Sequence, residues 1–258
     1  MKRLFIYLLL LPLFFCCKNE DKKSENPTTE IKEKEKRDYN SIAILKNKLE
    51  KQDINEASYN NIEFDKYGAN FSNNGNSLSY IEIPMSNVGI DLKKGFNISF
   101  RFKISDYDGT KPQSLFVLAD KFSSPSRVPF YIYFPAKKIS GVYGQQLLWA
   151  DGYNAKNGYS KEYYDSFPLE EEQMYFVSVN FNGEKIDIYV ESELYMSYSN
   201  IAVHDLKAEK ILLGGIYNKN NNTLSNPFTG AISNLQIYSE PLEESEIVSI
   251  YNDLPYIE

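Results

Sequence analysis

From residue 78 onward, apolar and polar side chains alternate with a period of two. In "GFNISFRFKIS", Phe96, Ile98, Phe100, Phe102 and Ile104 share one parity, and Asn97, Ser99, Arg101 and Lys103 share the other. Successive side chains of a strand point to opposite faces, so this pattern predicts a half-buried antiparallel strand with a solvated outer face. "YIEIP" sets Ile81 with Ile83, and "MYFVSVNF" aligns Tyr175, Val177, Val179 and Phe181. "NGEKIDIYVE" predicts a hairpin. Asn182–Gly183 suits a type I′ turn, whose two central residues need positive φ, and Ile186, Ile188 and Val190 then resume the inward parity. "KILLGGIY" and "AISNLQIYS" supply further strands. In the second, the steps from Ile232 to Leu235 and Ile237 break parity once, which predicts a β-bulge. Behind Pro241, a proline suited to a first helical turn, "EPLEESEIVSIYNDL" carries Ile247, Ile250 and Tyr251 at helical spacing. Many short strands, hairpin turns and one short closing helix indicate an all-β fold of two packed antiparallel sheets.

The pattern before residue 78 is of another kind. "LFIYLLLLPLFF" (Leu4–Phe15) is an apolar run of 12 residues between a basic start, Lys2–Arg3, and the pair Cys16–Cys17. A bilayer span needs about 20 such residues, whereas the apolar core of a secretory signal is this short. With cysteines at its end, the segment resembles a bacterial lipoprotein signal, in which a small residue precedes the lipidated cysteine and a leucine stands two places before that. Cys17 has small Cys16 before it but Phe14 at the leucine position; Cys16 has Leu13 in place but bulky Phe15 before it. Cys17 is the preferred lipidation site and Cys16 the alternative. The resemblance implies attachment to the outer membrane through acyl chains. Glu20–Asp21 is similar to the short acidic tag of lipoproteins exported to the cell surface.

Residues 1–17 are therefore read as signal and lipidation site. Residues 18–38 are dominated by Lys and Glu, with Ile31 as the one strongly apolar position, and read as a disordered tether. In residues 39–52, Ile42, Leu45 and Leu49 recur at steps of three and four and predict a short amphipathic helix. Residues 53–258 are one domain's worth of chain. The two cysteines are adjacent, which excludes a disulfide framework and leaves the domain to be held by its core. A net charge of −7 excludes nucleic acid as the expected partner, since phosphates call for a basic surface.

Taken in order, the strand segments resemble the laminin-G-like, concanavalin A-like jelly-roll domains over about residues 53–258. The pieces are "ANFSNNGNSLSYIEIP", "FNISFRFKI", "QMYFVSVNFNGEKIDIYVESELY", "ILLGG" and "FTGAISNLQIYSEPLEESEIVSIY". The resemblance implies a jelly-roll sandwich. Arg101–Phe102 and Met174–Tyr175 stand where many relatives carry tryptophan, and Ser233 where Asp is common.

Glucan hydrolases of this architecture place Glu-x-Asp-x-x-Glu on one strand, so that acid and nucleophile flank the sugar bond. The nearest match is "EKIDIYVE". Glu184 and Asp187 have opposite parity, while Asp187 and Glu191 share the outward face with Tyr189 between them; this reads as a solvated face. His204, the only histidine, has no Gly-x-Ser-x-Gly elbow to serve, and one histidine with no cysteine past the anchor region excludes zinc. The domain is expected to be non-catalytic. The family resemblance raises calcium at one rim, for which Asp106 and Asp108 in "SDYDGTKP" and Asp120 are candidates. A metal-free hairpin is the preferred reading, and no cofactor is assigned.

The segment most suited to recognition is "LLWADGYNAKNGYSKEYYDSF", with Trp149, Tyr153, Tyr159, Tyr163, Tyr164 and Phe167. The rings follow no period and read as a long loop. Ring faces beside amides and hydroxyls offer stacking with oriented hydrogen bonds, as a glycan or peptide requires; the competing use is to pin the loop to the sandwich. The Asn-rich "YNKNNNTLSN" (Tyr217–Asn226) reads as a flexible loop. The expected function is a lipid-anchored surface module that binds a glycan or a glycosylated or protein partner. A structural or accessory subunit of an outer-membrane assembly is the second reading, and a polysaccharide hydrolase the third.

Overall fold

A computed structural model describes residues 37–73, 78–87, 90–91, 93–106, 111–120, 130–134, 149–151, 160–164, 169–199 and 208–254. The signal with its lipidation site, and the tether up to residue 36, lie outside them. Among the described residues no helix is long and apolar enough to cross a membrane. In chain order the strands are β1 (Ala43–Asn47), β2 (Ser58–Asn60), β3 (Ile62–Asp65), β4 (Gly68–Phe71), β5 (Tyr80–Pro84), β6 (Phe96–Ile104) and β7 (Gln113–Ala119). Then come β8 (Phe130–Phe134), β9 (Trp149–Asp151), β10 (Ser160–Tyr164), β11 (Met174–Phe181), β12 (Ile186–Val190) and β13 (Glu193–Ser199). The last are β14 (Lys210–Leu213), β15 (Ile216–Asn218), β16 (Thr223–Ser225) and β17 (Gly230–Tyr238), before helix α1 (Glu244–Asp253).

These strands form two antiparallel sheets and a separate hairpin. The larger sheet runs β10-β13-β12-β11-β6-β17-β4-β3, with β1 also paired to β17; the smaller runs β2-β5-β14-β7-β8-β9; β15 pairs with β16. The alternation along β6 does what its parity requires. Phe96, Ile98, Phe100, Phe102 and Ile104 enter the core beside Tyr175, Val177, Val179 and Phe181 of β11, and meet Leu118, Phe130, Ile132, Phe134, Ile211 and Leu213 of the smaller sheet. Ring pairs cross between the layers, with Phe96 centred 5.0 Å from Phe130 and Phe102 5.7 Å from Phe134. The all-β jelly-roll sandwich with a short C-terminal helix is thus the observed fold.

The bulge expected in β17 is present. Its register against β6 slips between Ser233 and Gln236, and Asn234 has φ 52°. On the other edge of β17, β4 pairs up to Ile232 and β1 from Leu235 onward, and between them the Asn234 amide donates to Lys48 O at 3.1 Å. The bulge thus sits where β17 exchanges one neighbour for another.

Five expectations need correction. Residues 39–52 do not form a helix. Tyr39–Ile42 is a single 3₁₀ turn, opened by an Asp38 carboxylate that accepts from the Asn40 amide, and Ala43–Asn47 is strand β1. A short isolated helix is marginal in water, whereas β1 satisfies its backbone on the open edge of β17, with Leu45 opposite Ile237 and Asn47 opposite Leu235. The compact unit accordingly starts at Asp38 and not at residue 53.

The polar parity of β6 is not solvated. Asn97 and Ser99 are 0 % exposed. Leu242, Ile247 and Ile250, from α1 and its lead-in, pack on Phe176, Tyr189 and Tyr238 of the outer face and bury the polar residues with them. Those residues satisfy one another, as buried polar groups must. Asn97 Nδ2 donates to Ser178 Oγ (2.8 Å) and Asn180 Oδ1 (2.7 Å), and Ser99 Oγ donates to Asn97 Oδ1 (2.7 Å). Asn180 then receives the Leu242 amide (2.9 Å) and donates to the Leu242 carbonyl (2.7 Å), fixing the chain that leads into α1. The helix begins after Glu243, whose amide donates to the Glu246 carboxylate at 2.7 Å, so Pro241 precedes the first turn and does not occupy it.

The β11–β12 connection is four residues long, since Phe181 pairs with Ile186. Of Asn182 and Gly183 only Gly183 has positive φ, 95°. The Asn182 side chain instead accepts from the Glu184 and Lys185 amides, which builds an Asx turn in place of a type I′ turn.

Candidate functional site

Because α1 and the chain leading into it lie on the outer face of the larger sheet, the outer face of the smaller sheet comes into question. Its composition follows from parity. With Ile81, Ile83, Ile211, Leu213, Phe116, Leu118, Phe130 and Ile132 on the inner side, the opposite parity is Tyr80 and Glu82 on β5, Lys210 and Leu212 on β14, Val117 and Ala119 on β7, and Tyr131 and Tyr133 on β8. Register sets Glu82, Leu212, Val117 and Tyr131 in one row across four strands. The backbone of β9 follows as the next strand, Asp151 pairing with Tyr131 and Trp149 with Tyr133.

The β15–β16 hairpin completes this face. It leaves β14 through Gly214–Gly215 and places Ile216 among Val117, Ala119 and Leu212, a closed apolar patch on which Tyr131 and Tyr217 rest. Tyr217 stacks on Tyr80, with ring centroids 4.2 Å apart and planes 15° apart. Tyr131 stacks on Tyr133 at 4.3 Å and 27°. All four rings are half-buried. The Tyr217 hydroxyl donates to Asn222 Oδ1 at 3.0 Å. Beside the rings, Lys210 Nζ holds Glu82 Oε2 at 2.9 Å. Chemically this is a strip of aromatic faces edged by hydroxyls, an amide and an internally neutralised ion pair.

Burial pushes the Tyr80 hydroxyl well above its usual range, with further contributions from its hydrogen bond and charge interaction with Tyr217 and from the Glu82 charge. Burial likewise raises Tyr238, and raises Tyr189 to about 12, where Asp187 and Glu244 add to the effect. These rings stay neutral in the fold, while in the unfolded chain tyrosines ionise near pH 10. Their contribution to stability is therefore complete below about pH 10 and is lost as pH rises through the folded-state values. Urea midpoints are expected to hold up to about pH 9 and then fall. Tyrosinate absorbance that completes its rise near pH 10 with the fold intact would contradict this.

The residues singled out from sequence fall in different places. Trp149 is in the edge strand of the smaller sheet, not in a loop. Tyr163 and Tyr164 are in β10, the edge strand of the larger sheet, opposite Ser197 and Met196. The expected single aromatic loop is thus divided between the two sheets, and only Trp149 adjoins the tyrosine strip in register. Tyr153, Tyr159 and Phe167 lie outside the described residues, as do His204 and Asp108. Asp187 accepts from Ser197 Oγ (2.6 Å) and pairs with Lys185 (3.1 Å), and Glu191 accepts from the Phe176 amide (2.5 Å). Both carboxylates thus tie strands together. Asp106 is exposed, its carbonyl accepting from Gln113, and Asp120 is buried. Among the described residues no three His, Cys, Asp or Glu are grouped so as to hold a metal ion.

Tyr80, Tyr131, Tyr133 and Tyr217 escaped the sequence reading. "FYIYF" did carry a signal, since its tyrosines alternate with Phe130, Ile132 and Phe134 and so had to face outward. Tyr217 carried none. The Asn-rich segment expected to be a loop is a hairpin, in which Asn218 accepts from the Asn220 amide and Asn221 from Thr223 Oγ1.

No curated protein matches the sequence. A family model described as the concanavalin A-like lectin/glucanases superfamily matches residues 74–248. Among solved structures, the binding domain of botulinum neurotoxin DC in complex with rat synaptotagmin II is similar, with a TM-score of 0.54 and 13% identity, covering 84% of this chain and 53% of that one. The same toxin domain in complex with SialylT gives 0.55 and 13%, over 84% and 52%. A Trypanosoma rangeli sialidase gives 0.50 and 16%, over 76% and 29%. The chain thus spans about half the length of the toxin domains, at identities that speak for the fold alone.

Proposed function

We propose that this chain, which belongs to the concanavalin A-like lectin/glucanases superfamily, is a non-catalytic binding module held at a bacterial outer membrane through lipidated Cys17. It recognises a glycan, or a glycosylated or protein partner, through the outer face of its smaller sheet. The observation that carries this reading is the layer of four half-buried tyrosines in two stacked pairs, one ring of each pair resting on a closed apolar patch. Stacked rings with hydroxyls at their edges match the alternating C–H and O–H surfaces of sugars. The toxin domains described with a protein and with SialylT support a partner of either class. The non-catalytic part rests on Asp187 and Glu191, whose carboxylates are engaged in strand-to-strand bonds.

The test is a glycan array probed with the purified chain. Specific hits are expected, weakened at least about tenfold, or 1.4 kcal/mol, by Tyr131→Ala and by Trp149→Ala. Tyr163→Ala, on the other sheet, should leave them unchanged. Silence on glycans with a protein co-purifying from membranes would shift the assignment to an accessory subunit. Release of reducing ends from a polysaccharide mixture would make it a hydrolase. For the anchor, Cys17→Ala is expected to move the protein out of the membrane fraction and to abolish incorporation of labelled palmitate.

A further inference from the structure

Building on that reading, we infer that the tyrosine strip takes an extended, neutral oligosaccharide laid across the strands, and not a single terminal sugar or an acidic one. Extension follows from register. Tyr80 stands on β5 and the Tyr131–Tyr133 pair on β8, with β14 and β7 between them. Three inter-strand spacings make a span on the order of 14 Å, longer than one sugar ring. The gap is not empty of aromatic surface. Tyr217 stacks on Tyr80 and rests on the same Val117–Leu212 patch as Tyr131, which brings aromatic surface into the gap. The backbone of Trp149 pairs with Tyr133 in the next strand.

Neutrality follows from the charges on this face. Among the described residues, Lys210 is the cation that the strands themselves bring here, and Glu82 already holds it at 2.9 Å, with side-chain exposures of 11% and 30%. A ligand carboxylate would have to displace Glu82 or leave it unpaired, which costs far more than an exposed ion pair gains. The overall charge of −7 adds repulsion. Lys219 is exposed in the hairpin turn, outside the rows of the sheet. Hydroxyls, by contrast, pair with the Glu82–Lys210 bridge, the tyrosine hydroxyls and the Asn222 amide without any change of charge.

The experiment uses the full chain in a non-glycosidic detergent, on an array carrying neutral and acidic glycans of graded length. Hits are expected on neutral chains of several residues. For the strongest of these, affinity should rise at least about tenfold from the monosaccharide to the full chain and change less than about twofold between low and high salt. Tyr80→Ala should remove the gain with length. If monosaccharides bind as well as long chains, or acidic glycans bind best and are released by salt, the inference falls. Sensitivity to Tyr131→Ala in that case would leave the binding face itself standing. No glycan bound at all would overturn the inference together with the glycan side of the proposed function, while a protein partner that still binds through Tyr131 would overturn the inference alone.

Discussion

Phe102→Ala is expected to lower unfolding free energy by about 3–5 kcal/mol. Phe102 is fully buried at the middle of the sandwich, its ring centred 5.7 Å from Phe134 of the opposite sheet, 5.9 Å from Tyr175 and 6.2 Å from Phe100. Its strand pairs with β11 on one side and β17 on the other, so the surrounding backbone cannot collapse into the space left behind. The cost is therefore the lost transfer energy plus a persistent cavity. A domain has about 5–15 kcal/mol in all, so the variant should unfold at a much lower urea midpoint with an unchanged slope. A loss under about 1 kcal/mol would mean that the two layers do not interlock at this ring.

Gly230→Ala is expected to be comparably damaging for a different reason. Gly230 opens β17 with φ 147°, and a Cβ there would lie 2.0 Å from the Lys103 carbonyl oxygen and 2.8 Å from the Phe228 ring. The oxygen belongs to the backbone of β6, and β6 with β17 forms the centre of the larger sheet. Relief would require the two strands to part where Gly230 pairs with Ile104 and, on its other side, with Phe71. Clash and unfavourable φ together should remove about 3 kcal/mol or more. The loss should appear in equilibrium denaturation, and a variant as stable as the parent would show that the two strands are not held this closely.

Neither effect touches the tyrosine strip, and this allows stability and recognition to be separated. Phe102 and Gly230 act within the core and the larger sheet. Tyr80, Tyr131, Tyr133 and Tyr217 sit on the far side of the smaller sheet, away from both Phe102 and Gly230. Loss of glycan binding in a tyrosine variant with an unchanged urea midpoint therefore reports the site and not the fold.

How far the molecule was legible in its sequence depended on how far each feature is local. Period-two parity in β6 and β11 reveals which side chains leave solvent, because the alternation of a strand is a property of its own backbone. The bulge at Asn234 was visible for the same reason, as a break in that parity. Parity says nothing of what lies beyond a strand. Asn97 and Ser99 look like a wetted face until α1, more than 140 positions later, settles on them. Ile42, Leu45 and Leu49 fit a helical stripe as well as an edge strand, and only the open side of β17 decided between the two.

The recognition surface lies further still from anything local. Tyr80, Tyr131 and Tyr217 are each unremarkable where they occur in the chain, and "YNKNNNTLSN" has the composition of a loose turn. They meet because β5, β14, β7 and β8 are neighbours in one sheet and because Gly214–Gly215 turns the next hairpin back over it. The residues by themselves determined that this chain forms antiparallel layers, which side of each strand is apolar, and that its two cysteines hold no framework. Tertiary structure alone decided which polar faces stay wet, where the first strand docks and which aromatic rings come together. The physical reason is one of range: side-chain alternation is set within a few bonds, whereas coverage and convergence are set by strand order, which joins positions far apart in the chain.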